Sequence, residues 1–156
     1  MWWSDGVRVA ALLALAGCGF TPAYGPGGTA GALRDAVTVE AGTSVLDARL
    51  RIAIEERLGR GPDYRLSVET DVDEVQAAVT QEGAISRFNL TGRADWVLRD
   101  GAGAEVARGE ARGFTGYLTT GSTVATEAAQ RDAADRLAVI LAEDIVAQLV
   151  LTAGAG

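Results

Sequence analysis

The chain contains no histidine and a single cysteine, Cys18. One cysteine cannot form an internal disulfide, and without histidine or a second thiol the common zinc, haem and cysteine-histidine catalytic sites lack their ligands or their base. Basic residues are also scarce, with 14 against 21 acidic ones and a formal net charge of −7. Because nucleic-acid binding needs a basic face that displaces counterions from phosphates, the composition argues against that class.

The segment before Cys18 has the order of a secretory signal: a polar start with Arg8, an apolar run from Val9 to Leu15, and the small pair Ala16-Gly17. The apolar run is far shorter than the ~20 residues of a membrane-spanning helix, so we interpret it as cleaved. Its end, LAGC, matches the bacterial lipobox, in which the chain is cut before the cysteine and a diacylglycerol is joined to the thiol. The pattern predicts a covalent lipid on Cys18 and no other cofactor. The alternatives are a leader with an incidental cysteine and an ordinary signal that is cut near Gly17 and leaves a free, reactive thiol.

The rest of the chain is long enough for one packed domain, because 48% of its 156 residues are hydrophobic and domains usually contain ~100–200 residues. The stretch GPGGTAG, from Gly25 to Gly31, is typical of a flexible tether. We therefore predict a signal peptide at 1–17, a lipidated cysteine and tether at 18–34, a single α+β domain at 35–152 and a tail at 153–156.

Hydrophobic periodicity predicts both helices of this domain and its first strand. Apolar and polar residues alternate at 36–40, as in a strand. Ser44 and Asp47 form a capping-box-like pair that begins an amphipathic helix, which ends at Gly59. A second helix begins at Ser122 or Thr123 and continues to about Leu151. Its charged residues make it unsuitable for spanning a membrane.

Between the helices the period falls to two, which predicts three meandering strands. The apolar face changes near Asp73-Glu74, so we predict a bulge there. The clearest half-buried strand runs from Phe88 to Leu98. The order β-α-β-β-β-α predicts an α+β two-layer sandwich in which a four-stranded, mostly antiparallel sheet carries two helices on one face.

The pair Gly101-Ala102 suits a two-residue type II′ turn, because glycine occupies the first central position. This turn fixes the register of the last two strands, since a slip of one residue would reverse their faces. It predicts large-small pairs on the apolar face, Trp96 with Ala107 and Leu90 with Gly113. On the polar face it predicts two opposite-charge pairs, Asp95 with Arg108 and Arg93 with Glu110.

No pattern indicates catalysis or a metal site. Ser122 and Thr123 lack a histidine base and suit a helix cap. An acidic cluster has the residue types of a calcium site but not the spacing of an EF-hand loop, so a solvated strand edge is the favoured interpretation. The cluster consists of Glu69, Asp71, Asp73 and Glu74.

Arginines on the polar strand faces are the candidates for binding anionic head groups. We assign this role to Arg87, Arg93 and Arg112. Sheet pairing is the alternative, because the predicted register gives Arg93 and Arg108 acidic partners.

Two stretches resemble a known family. CGFTPAYG from Cys18, and ISRFNLTGRADWVL leading through YLTTGSTVATEAAQRDAADRLAVILAEDIVAQL, are similar to the lipopolysaccharide-assembly lipoprotein family LptE, especially its alphaproteobacterial branch. The resemblance implies a lipid-anchored protein on the periplasmic side of the outer membrane that plugs the lumen of the β-barrel LptD, assists its assembly and helps deliver lipopolysaccharide to the outer leaflet. It implies binding and positioning without catalysis, with LptD and lipopolysaccharide as partners.

The alternative from another class is an auxiliary lipoprotein of an ABC-type lipid or solvent transporter, which would bind other periplasmic subunits. A third hypothesis, a lipid-anchored enzyme, is weaker because the sequence offers no candidate catalytic residues.

The lipobox makes a direct prediction. Cys18→Ala removes the thiol that accepts the lipid, so this variant should be neither processed as a lipoprotein nor anchored in the membrane. Labelling with radioactive palmitate and membrane fractionation measure both properties. A Cys18→Ala protein that is processed and membrane-bound like the wild type would contradict the prediction.

Overall fold

The computed structural model describes residues 29–79, 85–119 and 122–153. The predicted signal peptide, Cys18 and the tether as far as residue 28 lie outside the described residues, as do the last three residues of the predicted tail. The elements in chain order are helix α1 (Thr29–Leu33), strand β1 (Val37–Ala41), helix α2 (Val45–Leu58), strands β2 (Tyr64–Val79), β3 (Ile85–Asp100) and β4 (Glu105–Leu118), and helix α3 (Thr123–Ala153).

The four strands form one sheet in the order β1-β2-β3-β4. Strand β1 is parallel to β2, and the other neighbours are antiparallel. Alternate strand residues are buried under α2 and α3, so both long helices cover one face of the sheet, here called the inner face. The predicted α+β sandwich is therefore confirmed. Helix α1, at the end of the predicted tether, adds one turn, and its Leu33 is buried in the core.

Helix α2 begins at the predicted capping box. The Asp47 N–H donates to Ser44 Oγ at 3.0 Å, and the Ser44 N–H donates to Asp47 Oδ2 at 2.9 Å. The hydroxyl of Thr70 on β2 also donates to Asp47, at 2.6 Å, which joins the start of the helix to the sheet. Burial would raise the pKa of Asp47, but the hydrogen bonds from Thr70 and Ser44 outweigh it and hold the pKa below its ordinary value.

The turn between β3 and β4 differs from the predicted type II′ turn. The Asp100 N–H donates to the Ala104 carbonyl, and Gly103 has a φ of 85°, so the loop has one residue more than predicted. The Asp100 carboxylate stabilises this loop by accepting the N–H groups of Ala102 and Ala104, each at 2.9 Å. A bulge then leaves Val106 without a partner in β3.

These two extra residues shift the register by two, so the predicted residue pairs are wrong while the predicted faces are right. Trp96 lies opposite Gly109 instead of Ala107. On the outer face, opposite the helices, Asp95 faces Glu110 and Arg93 faces Arg112. The matching of a large inner residue with a small one survives, because Gly109 is even smaller than the alanine predicted.

The predicted bulge near Asp73-Glu74 is also wrong in position. Strand β2 pairs regularly with β3 as far as Gln76, and the register shifts lie on both sides of Ala78. As a result, Val72 and Val75 point to opposite faces and are 39% and 59% exposed. This part of β2 extends beyond β1, and neither of its faces has to be buried. The apolar residues can therefore move from one face of the strand to the other without a bulge.

Helix α3 packs very close to β3 and β4. A Cβ atom on Gly92 would lie 3.0 Å from the Leu137 side chain, and one on Gly113 would lie 2.8 Å from it. Leu137 and Leu141 are fully buried beneath this contact. No helix in the described ranges is both long and apolar enough to cross a membrane.

The contact between Gly109 and Trp96 predicts a selective loss of stability. A Cβ on Gly109 would lie 2.5 Å from Trp96 Cζ2 and 2.6 Å from Gln148 Oε1. Trp96 is buried in the core, and Gln148 is held by hydrogen bonds with Trp96 and the Glu110 carbonyl. We expect Gly109→Ala to lower the free energy of unfolding by about 1–3 kcal/mol, measured by chemical denaturation.

Gly101→Ala is the matched control, because a Cβ there meets nothing closer than the Asp63 carbonyl at 3.6 Å. Its free energy of unfolding should change by less than about 0.5 kcal/mol. Equal losses in the two variants would contradict the role of close packing.

Candidate functional site

The candidate arginines all lie on the outer face of the sheet, which no described element covers. Arg87 and Arg93 belong to β3 and Arg112 to β4, and all three are exposed. Arg93 and Arg112 are directly opposite each other. Arg87 is six residues from Arg93 along one strand, a separation of roughly 20 Å at ~3.3 Å per residue. The structure therefore brings two of the candidates together and leaves Arg87 apart.

Carboxylates neutralise Arg93 and Arg112. Arg93 donates to Asp95 at 2.9 Å, and its Nε lies 3.0 Å from Glu110 Oε2. The hydrogen bond to Asp95, assisted by the charges of Asp95 and Glu110, raises the pKa of Arg93. Arg112 donates to Glu110 as well.

The predicted Arg93–Glu110 ion pair is thus present, although it runs diagonally between the strands. The predicted Asp95–Arg108 pair is absent, because Arg108 binds Glu105 with two hydrogen bonds of 2.6 and 2.8 Å.

Arg87 has a different environment. It forms no ion pair with a described residue and lies directly opposite Leu118. Leu118 is 61% exposed, and Phe114 on the same face of β4 is 57% exposed. We call Arg87, Val75, Phe114 and Leu118 the Arg87 patch, which combines exposed apolar side chains with one positive charge that has no acidic partner among the described residues.

Asn89 lies within this patch, between Val75 on β2 and Gly116 on β4. Its Oδ1 atom is buried and accepts no hydrogen bond from a described residue. The patch therefore offers a positive charge, apolar surface and one acceptor that has no partner in the described part of the chain.

The acidic residues considered for calcium do not converge. Glu69, Asp71 and Asp73 lie on the outer face, whereas Glu74 points to the inner face and accepts hydrogen bonds from Tyr117 and Gln130, each at 3.1 Å. Burial, with the Glu74 hydrogen bond and charge, raises the pKa of Tyr117. Within the described residues, no group of three or more histidine, cysteine or acidic side chains could hold a metal ion.

Helix α3 begins at Thr123, and the N–H of Thr126 donates to the Ser122 carbonyl. Ser122 therefore lies at the capping position of α3. This is the position that the capping interpretation predicted, as opposed to a role as a nucleophile.

Three polar residues of α3 cover the free edge of β4, a role that sequence reasoning missed. Gln148 donates to the Glu110 carbonyl at 2.9 Å, and Asp144 accepts the N–H of Arg112 at 3.3 Å. Arg136 donates to the Gly116 carbonyl at 3.0 Å. The available signal was the spacing of the polar residues at positions 136, 144 and 148, which are separated by multiples of four and so share one side of the helix.

Solved structures that share this two-layer fold include bacterial lipoproteins. A lipoprotein from Caulobacter crescentus CB15 is 26% identical with a TM-score of 0.64, covering 79% of this chain and 93% of that one. Rare lipoprotein B from Shewanella oneidensis is 11% identical with a TM-score of 0.56, covering 74% and 94% of the two chains. Lipoprotein B from Nitrosomonas europaea is 16% identical with a TM-score of 0.57, covering 78% and 86%. The last two likenesses show the fold alone.

The fold thus defines a lipoprotein-type α+β sandwich domain. Residues 34–149 match the model of the LptE family, described as lipopolysaccharide-assembly. The match extends over more than half of the chain, so the protein belongs to the LptE family, which confirms the resemblance seen in the sequence. No curated protein matches the chain.

Proposed function

We propose that this protein is an outer-membrane lipoprotein of the lipopolysaccharide transport machinery. The Cys18 lipid holds it on the periplasmic side of the membrane, where it plugs an LptD-type β-barrel, assists the assembly of that barrel and helps deliver lipopolysaccharide to the outer leaflet. The observation that carries the proposal is the family match over residues 34–149. The mechanism is binding and positioning, with no cofactor and no bond made.

The surface of the domain supports enclosure within a partner. The outer face of the sheet is uncovered by any described element and carries exposed Val75, Phe114 and Leu118. Helix α3 exposes 41% of Val139 and 36% of Ile140 on another side. Exposed apolar residues in more than one direction suit a protein surrounded by its partner.

The Arg87 patch is the part of the surface that best suits lipopolysaccharide. A lipid with phosphates and acyl chains needs both positive charge and apolar contact. Arg93 and Arg112 are less suitable, because Asp95 and Glu110 already neutralise them. We therefore rank Arg87 above the other two candidates.

This ranking can be tested with two single substitutions. Arg87→Ala should weaken binding of purified lipopolysaccharide about fivefold at low salt, since one arginine near an anionic lipid surface contributes ~1 kcal/mol. Arg51→Ala removes the same charge from an exposed position on α2 and should have little effect. Equal losses for the two variants would show that net charge alone matters and would remove Arg87 from the site.

The partner is tested by affinity purification of the full-length lipidated protein from solubilised membranes. We expect an LptD-sized barrel as the main partner, and we expect depletion of the protein to lower both assembled barrel and surface lipopolysaccharide. Recovery of an inner-membrane ABC transport complex would instead support the alternative transporter role. Unchanged barrel assembly and surface lipopolysaccharide after depletion would refute the proposal.

A further inference from the structure

Strand β2 has a long edge that no other described strand covers. Strand β1 ends at Ala41, which pairs with Val68, whereas β2 continues to Val79. From Glu69 onward, β2 therefore has β3 on one side and no strand of the described ranges on the other. We call the segment from Glu69 to Gln76 the β2 edge.

The direction of the backbone groups on this edge follows from β1. The Tyr64 N–H donates to the Ala36 carbonyl at 2.9 Å, so even-numbered residues of β2 point their backbone groups toward β1. Because this direction alternates along a strand, the same groups farther along point away from β3. The residues whose N–H and C=O groups face the open edge are Thr70, Val72, Glu74 and Gln76.

The β4 edge and the β2 edge differ in whether side chains bind their backbone groups. On β4, the side chains of Arg136, Asp144 and Gln148 bind backbone groups of the edge, which prevents another strand from pairing there. On the β2 edge, no described group outside the strand donates to or accepts from the backbone, and residues 71–77 are all exposed. An open edge with unused donors and acceptors can accept an additional strand.

We propose that the β2 edge binds an extended, basic segment of a partner protein as a fifth strand. The backbone hydrogen bonds would come from the four even-numbered residues. Selectivity would come from the side chains on the outer face, where the edge presents a row of carboxylates.

The carboxylate row sets the chemistry of the partner. Glu69, Asp71 and Asp73 alternate along the outer face, and neither Glu69 nor Asp73 has an ion pair with a described residue. Glu69 lies opposite another acid, Asp95, in β3. A strand with lysine or arginine at alternate positions would place opposite charges beside this row, which stabilises cross-strand pairs.

The same row disfavours a second copy of this chain as the occupant. Edge-to-edge pairing of two β2 strands would bring two rows of carboxylates together, and like charges on neighbouring strands are destabilising. The chain's own residues 18–28, CGFTPAYGPGG, contain no basic residue and are rich in glycine and proline. Such a segment is a poor strand and does not complement the charge.

The inner-face side chains of the β2 edge and the length of this edge place two further constraints on the partner strand. On the inner side Val72 is 39% exposed, so an apolar residue of the partner would cover it. Glu74 is already occupied by Tyr117 and Gln130. The register shifts around Ala78 end the regular edge, which leaves a length of roughly 25 Å at ~3.3 Å per residue.

Hydrogen exchange with a model strand tests the proposal directly. The full-length lipidated protein in non-ionic detergent would be mixed with a peptide of alternating lysine and valine, or with one of alternating glutamate and valine. Alone, the four edge amides should exchange quickly while the odd-numbered amides of β2 are protected. The lysine peptide at ten times its Kd should slow the edge amides about tenfold, and the glutamate peptide should leave them unchanged.

Two variants separate the backbone contribution from the charge. Val72→Pro removes an N–H that faces the open edge without touching the β2–β3 ladder, and should weaken lysine-peptide binding about fivefold or more. Glu69→Lys with Asp73→Lys should also weaken it and should favour the glutamate peptide. Glu56→Lys with Asp63→Lys changes the net charge equally at exposed positions away from the edge, and should retain binding. The charge variants keep the test valid if Val72→Pro fails to fold.

Several results would overturn the inference. These are slow exchange of the edge amides in the protein alone, dimerisation through β2, protection by both peptides equally, and no protection by the lysine peptide. Loss of binding in the control variant as large as in the edge variant would also overturn it. Failure of barrel co-purification would leave this result intact, because the peptide assay does not depend on the barrel.

Discussion

The close approach of helix α3 to strands β3 and β4 is the constraint on which the rest of the structure depends. Gly92, Gly109 and Gly113 have no Cβ atoms, so Leu137 and Trp96 occupy the space beside the backbone. A helix held at this distance can also reach the sheet edge with its polar side chains. Trp96 donates to Gln148, which in turn donates to the Glu110 carbonyl, so core packing and edge protection share one residue.

This arrangement leaves some regions of the sheet covered by helices and others open to solvent. The inner face and the β4 edge are occupied by the protein's own helices. Within the described part of the chain, the outer face and the β2 edge remain open. The outer face carries both the Arg87 patch and, along β2, the carboxylates of Glu69, Asp71 and Asp73. The two regions differ in charge but adjoin each other, because Val75 belongs to both the Arg87 patch and the β2 edge.

Local signals predicted the elements well, and long-range details poorly. The capping box of α2 depends on Ser44 and Asp47, which are three residues apart, so the sequence contains both halves of the interaction. The β3–β4 register depended on a choice between two glycines, Gly101 and Gly103. The Asp100 carboxylate, together with a bulge at Val106, decided it. The ion pair of Arg93 with Glu110 was predicted, whereas the contact of Arg112 with the same carboxylate, two residues away on β4, was not.

The paired irregularities of the β3–β4 hairpin have an evolutionary consequence. The longer loop and the bulge each add one residue, and only together do they keep the buried side chains of β4 on the same face as Trp96. Insertion or deletion of a single residue in this hairpin would exchange its buried and solvent-facing side chains. Length variation among relatives should therefore occur here in steps of two, or be compensated by gain or loss of the bulge at Val106.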